Sequence, residues 1–287
     1  MPTHVLLLVL LAALLHASWN AVVKSSPDKP LDIVFVTASA AALCLLAVPF
    51  LPLPAGASWT YIALSAAIHV AYFLLIGAAY RSGDMSHAYP LMRGTPPLLV
   101  ALASGPLIGE RLNAGEWAGI LLICAGILGL LAAHPPAAHT TRAATARTTR
   151  LALLNAVTVA SYTLVDGTGV RLSGDPASYT MWVFILTAPP ILAWTLARRR
   201  ADAARHLRTR WRFVLAGGAC TLAAYSLVLW AMTRVPIALV AALRETAIIF
   251  GAAISAFILR ERQGYGRAAA AAVILLGVVA LETLHTD

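Results

Sequence analysis

Long apolar runs alternate with short polar joints along the entire chain. Each run approaches the about 20 residues that an α-helix needs to cross a hydrocarbon layer roughly 30 Å thick. In that solvent a helix satisfies its own backbone hydrogen bonds, which an isolated strand or loop does not. Runs bounded by Pro, Gly or charge predict spans at 4–23, 31–53, 59–80, 86–108 and 115–133, and, beyond a polar Ala/Thr/Arg joint, at 151–171, 177–197, 213–232, 236–258 and 266–284. The predicted fold is all-α and membrane-integral, with about ten transmembrane helices and no soluble appendage. Residues 5–15 have the length of a signal-peptide core, but no basic leader precedes them and the run stays apolar through Ala17, Val22 and Val23, so it reads as a retained helix.

The pattern occurs twice. Arg93 and Arg244, Thr95 and Thr246, Ser104 and Ser255, Glu110 and Glu261, Arg111 and Arg262, Gly115 and Gly266, and Gly126 and Gly277 all lie 151 positions apart, with no gap. Upstream the register shifts, as loops of unequal length require: Tyr72 matches Tyr225 at 153, and Ala17, Ser18 and Trp19 match Ala160, Ser161 and Tyr162 at 143. The expected organisation is a first five-helix repeat (1–133), a linker loop (134–150) and a second five-helix repeat (151–287). Five spans is an odd number, so the second copy must cross in the opposite sense. An inverted five-plus-five repeat supplies two packed bodies that can rock about a midplane cavity.

Composition narrows the classes further. With 60% hydrophobic residues and a mean hydropathy of +0.80, the chain is too apolar for a soluble domain. Its net charge of +9 does not point to nucleic acid, because the basic residues collect at the joints. One set of alternate joints holds Lys24, Lys29, Arg81, Arg142, Arg147, Arg150, the arginines within 198–212, Arg260, Arg262 and Arg267, while the other holds Arg111, Arg171 and Arg234. On the Lys/Arg rule the crowded side is cytoplasmic and both termini lie outside. Cys44, Cys124 and Cys220 stand singly in apolar runs, without disulfide, zinc or CxxC spacing. No GxSxG, HExxH or phosphate loop is present, so no catalytic residue, metal or cofactor is expected and the chain does not read as an enzyme. The expected partners are a small-molecule solute and the lipid bilayer; no pattern sets an oligomeric state.

A charge inside a span costs about 2.5 to 3.5 kcal/mol on insertion scales, so such residues carry a functional expectation first. Arg93 and Arg244 lie about two turns into the fourth and ninth spans, which run in opposite directions, so they approach the midplane from opposite faces. A planar guanidinium suits carboxylate, phosphate or phosphonate; symmetric placement favours binding over snorkelling to the headgroups. Glu245 follows Arg244 at about 100° around a helix and so faces elsewhere, toward a coupling proton or an Arg of another helix. Asp166, beside Gly167 and Gly169, reads as exposed where a helix ends, with proton coupling as its alternative, as for His69. His16, Trp19 and Asn20 form one stripe at i, i+3 and i+4, either for substrate or for interhelical bonding with a Trp anchor. Tyr72 and Tyr225, with His69, Tyr89 and Trp230, suit a cavity wall or an interfacial belt. Pro90, Gly94, Pro96, Pro97 and Pro106 predict an interrupted fourth span, whereas the ninth has Pro236 near its start. Glu110 and Glu261, at turns beside Arg, are expected to be structural.

The copies PLMRGTPPLLVALASGPLIGERL and VALRETAIIFGAAISAFILRERQ, with Glu-Arg pairs after the fourth and ninth spans and Gly-bearing fifth and tenth spans, resemble the EamA-type branch of the drug/metabolite transporter superfamily. HASWNAVVKSS, YPLMR and LVLWAMTRVPIALVAALRET further resemble a subgroup associated with phosphonate utilisation. The resemblance implies secondary transport, often export, of metabolites or amino acids through a central cavity, in a multi-pass inner (plasma) membrane protein. It also implies cytoplasmic termini, opposite to the charge count. The expectation is therefore a secondary transporter, exporter or exchanger, of a small polar metabolite, anionic or zwitterionic. A membrane-embedded lipid-processing enzyme would instead need a catalytic cluster at one interface, and a non-transporting partner subunit would lack a polar cavity.

Overall fold

The computed structural model describes residues 1–82, 85–133, 141–257 and 265–284; Glu261 lies outside them. Its helices are α1 (Thr3–Lys24), α2 (Lys29–Ala47), α3 (Trp59–Ser82), α4 (Met85–Ile108), α5 (Ala114–Ala133), α6 (Arg142–Leu172), α7 (Pro176–Met232), α8 (Ile237–Arg244), α9 (Ala247–Phe257) and α10 (Tyr265–Thr283). Helix starts follow the local chemistry. The Asp28 carboxylate accepts from the Leu31 N–H ahead of Pro30, and that of Asp175 from the Ser178 N–H ahead of Pro176. Asn113 and Glu116 close a reciprocal capping box on α5, at 2.8 and 2.7 Å.

Nine stretches among the described residues are long and apolar enough to cross a membrane, and α7 counts as one of them. At 1.5 Å per residue its 57 residues would extend about 85 Å, nearly three times a bilayer core. It bends at Arg199 (φ −140°, ψ 37°), so α7 is two limbs, each long enough for a crossing of its own, which makes ten candidate crossings among the described residues. The joint expected at 198–212 is thus largely helical, forming the first turns of the second limb. The linker loop expected at 134–150 is likewise helical from Arg142 onward, because Thr141 caps α6 and nothing in the Ala/Thr/Arg stretch breaks it.

The break predicted for the fourth span occurs in the ninth. α4 runs unbroken through Pro90, Pro96, Pro97 and Pro106. The ninth span instead stops at Arg244 and restarts at Ala247. There the Glu245 and Thr246 N–H groups bond back three residues, to Ala242 and Leu243 at 3.0 Å, and the Thr246 hydroxyl donates to the Leu243 carbonyl at 2.7 Å.

The inversion is visible where α5 meets α10. A Cβ at Gly126 would lie 3.0 Å from the Ala270 carbonyl, and one at Gly277 would lie 2.9 Å from the Gly119 carbonyl. Gly119 and Ala270 are equivalent in the repeat, as are Gly126 and Gly277, so these two contacts exchange under a pseudo-twofold axis. They pair the helices antiparallel, as opposed copies demand.

Contacts also tie the copies together at both ends. On the side of the termini, Glu110 accepts from the Ile237 N–H that opens α8 (2.8 Å) and from Arg171 (2.8 Å), which itself donates to the Met232 and Val235 carbonyls. On the Arg-rich side, buried Asp32 accepts from Arg210 at 2.9 Å and meets His206 at 2.5 Å, while Asp28 pairs with Arg199 at 2.6 Å. Apolar packing fills the end near the termini, where Val5, Val9, Ile62, Leu229, Ile237 and Leu239 have no exposure.

Candidate functional site

Arg93 from α4 and Arg244 from α8 converge, as the repeat predicts, but the anion they meet belongs to the protein. The Glu245 carboxylate has no exposed surface and lies 2.8 Å from Arg93 Nε and 3.7 Å from Arg244 Nε. Of the partners expected for Glu245, the structure brings to it an Arg of another helix, Arg93, while its sequence neighbour Arg244 stands farther off. None of these N–H groups is aligned for a hydrogen bond, so the pairing is electrostatic, and Arg93 Nη2 has no hydrogen-bond partner among the described residues. Gly94, packed against Leu128, stands in the first copy where the second has Glu245. The cluster therefore holds two fixed cations against one carboxylate.

Arg244 lies on the wall of a cavity of about 90 Å³ between α1, α2, α3, α6 and α7, enough for several water molecules. Its position is set by the residues around it: His16 and Trp19 on α1, Thr37 on α2, His69 and Tyr72 on α3, Tyr162 on α6, and Phe184, Thr187, Thr221 and Tyr225 on α7. They run from mid-helix positions such as His69, Tyr162 and Thr187 toward the Arg-rich end, where Trp19 and Thr37 lie. Aromatic rings and small apolar side chains make up most of the wall. The Arg244 guanidinium sits 6.0 Å from the Tyr162 ring, and His69 stacks on Tyr162 at 4.3 Å.

The structure divides the α1 stripe. His16 and Trp19 line the cavity and bond each other, Trp19 Nε1 donating to His16 Nδ1 at 3.3 Å, which leaves the neutral ring's proton on Nε2. Asn20 donates to the His16 carbonyl of its own helix at 3.0 Å and is not part of the wall. Arg93 is likewise outside the wall, engaged with Glu245. Tyr89 is partly exposed, and Trp230 packs with His4 and Arg234 near the termini.

Asp166 is not exposed. α6 continues to Leu172, and Gly167 and Gly169 mark close approach: a Cβ on them would strike Ile237 at 2.3 Å and Tyr179 at 2.5 Å. The carboxylate is fully buried beneath the cavity floor, accepting from Tyr179 at 2.9 Å and from Tyr225. Sequence reasoning missed Tyr162, Tyr179, Phe184 and Thr187. For Tyr162 the signal was present, since it is the repeat counterpart of Trp19. For the others, which approach from the first limb of α7, nothing in the pattern separates them from ordinary core.

Comparison with known proteins gives a family and a likeness of fold. The EamA-like transporter family model fits residues 3–132 and 149–283, one copy on each repeat. A solved crystal structure, described only as that of a protein, is similar at a TM-score of 0.76 and 20% identity, over 99% of this chain and 98% of that chain, which is a likeness of fold. No curated protein matches. Neither match carries the association with phosphonate.

Proposed function

The chain belongs to the EamA-like transporter family, a premise that implies secondary transport of small solutes, and from it we propose that the solute is a small anionic or zwitterionic metabolite held at Arg244. One observation carries this reading: the cavity wall includes a guanidinium from a buried cluster with two cations and one anion. A buried surplus of positive charge is costly until an anion matches it. A planar fork against aromatic walls suits a carboxylate or phosphoryl group whose remainder stacks on Tyr162 or Trp19.

Alternating access would then be a rocking of the repeats, 1–133 against 151–287, with the turn at 245–246 as the flexible joint beside the solute. Export or exchange across the inner membrane is the working assignment. Uptake into proteoliposomes across anionic, zwitterionic and cationic solutes at two pH values tests it. Anionic or zwitterionic flux that Arg244→Gln abolishes is the expected result; flux confined to cations would overturn the role given to Arg244.

A further inference from the structure

Tyr225 belongs to two sites at once. Its ring lines the cavity, and its hydroxyl donates to Asp166, which also takes the Tyr179 hydroxyl at 2.9 Å. The groups that act on Asp166 are His69 and Ser65 from α3 and Tyr179 and Tyr225 from the two limbs of α7; beyond them, Tyr61 from α3 acts on Tyr179, and Arg244 from α8 acts electrostatically on both Tyr225 and His69. No Lys or Arg lies within ion-pair distance of Asp166 among the described residues, and the groups that donate to it are neutral hydroxyls, those of Tyr179, Tyr225 and Ser65. Glu245 differs in having two guanidinium groups close by, so a proton there would leave both unmatched. Of the two fully buried carboxylates in the middle of the bundle, Asp166 is the one whose neutral form strands no cation.

We propose that Asp166 is a proton-binding site of the transport cycle, loaded through Tyr225 together with the anion at Arg244. The step takes up one proton from the aqueous phase. Tyr225 passes its hydroxyl hydrogen to a carboxylate oxygen and takes a proton from a hydronium ion that reaches it through the cavity and is left as water, so the tyrosine ends neutral and the carboxylate becomes a carboxylic acid. An anion at Arg244 cancels the nearby positive charge and repels the carboxylate, which favours the protonated form; by linkage, the proton strengthens anion binding equally. The anion part of this proposal rests on the transport reading above, whereas the proton site does not need a solute.

Infrared pH titration of the purified full-length protein, with no solute added, provides the test. The wild type is expected to gain a carboxylic-acid C=O band as pH falls, and Asp166→Asn, which keeps the side chain's shape, to lack it. Arg244→Gln imitates anion binding by removing the positive charge and is expected to move the band's midpoint about one pH unit upward. Should that variant fail to fold, Tyr225→Phe, which takes one donor from the carboxylate, is expected to move it the same way. An identical band in Asp166→Asn overturns the proton site, and a midpoint indifferent to both Arg244→Gln and Tyr225→Phe overturns its link to the cavity. Solute flux with no Asp166-dependent band defeats this proposal alone, while a band with no flux of any solute defeats the transport reading and the anion part with it.

Discussion

At the scale of single residues, the Arg93–Glu245 pair dominates the buried electrostatics. Removing one member of a buried pair costs about 3–5 kcal/mol, since the other is left charged and unmatched. Glu245→Gln, which leaves Arg93 and Arg244 buried with no carboxylate between them, is accordingly expected to lower the thermal unfolding temperature sharply, and Glu245→Gln with Arg93→Gln to recover part of the loss by removing one of the two unmatched cations. Equal melting temperatures for the single and double variants would show that the 2.8 Å contact carries no coupling. Asp28 supplies a milder case at the surface joint before α2. Partial burial raises its carboxyl, but the Arg199 hydrogen bonds and the Leu31 N–H together outweigh this and leave it below the ordinary aspartate value. A depressed carboxyl stabilises the fold above its unfolded-state value and loses that contribution as pH falls through the folded one. The melting-temperature gap between wild type and Asp28→Asn is therefore expected to hold down to about pH 4 and to close below it.

At the scale of elements, the contact between α5 and α10 depends on small residues, since Gly119, Gly126 and Gly277 let backbones approach to distances that a side chain would obstruct. Gly126→Val and Gly277→Val are expected to destabilise by similar amounts, about 1–3 kcal/mol by overpacking, because their surroundings are related by the pseudo-twofold axis. Denaturation in detergent measures both, and strongly unequal losses would count against the axis. Glu110 ties α4 to the start of α8, holding the Ile237 N–H and Arg171. Glu110→Ala leaves that helix start uncapped and is expected to cost about 1–2 kcal/mol in the same measurement.

At the scale of the whole molecule, the cavity runs from mid-bundle toward the Arg-rich side at Trp19 and Thr37 while the end near the termini is filled, so the two faces should differ in access. In a background without Cys44, Cys124 and Cys220, Thr221→Cys on the cavity wall is expected to react with a small thiol reagent. Leu239→Cys, with no exposure in the filled end, is expected to stay unlabelled. Reversed labelling would mean that another conformation prevails in the membrane. An impermeant reagent applied to sealed vesicles of known orientation also decides between the charge rule, which puts the Arg-rich side in the cytoplasm, and the family expectation for the termini.

The sequence by itself determined the all-helical membrane class, the span count and the repeat. Those properties depend on signals that each segment carries alone: the free energy of placing about 20 apolar residues in lipid, and a constant 151-residue offset. It also placed Arg93 and Arg244 at corresponding depths, since depth is counted along one helix. Only the tertiary structure decided what those charges face. Glu245 meets Arg93 because α4 packs against α8, and Asp166 is buried because Tyr179 and Tyr225 close over it from separate limbs of a helix that bends at Arg199. A partner 59 residues away, as Tyr225 is from Asp166, leaves no periodic trace in the chain, for it is chosen by how helices pack and not by how any one of them forms.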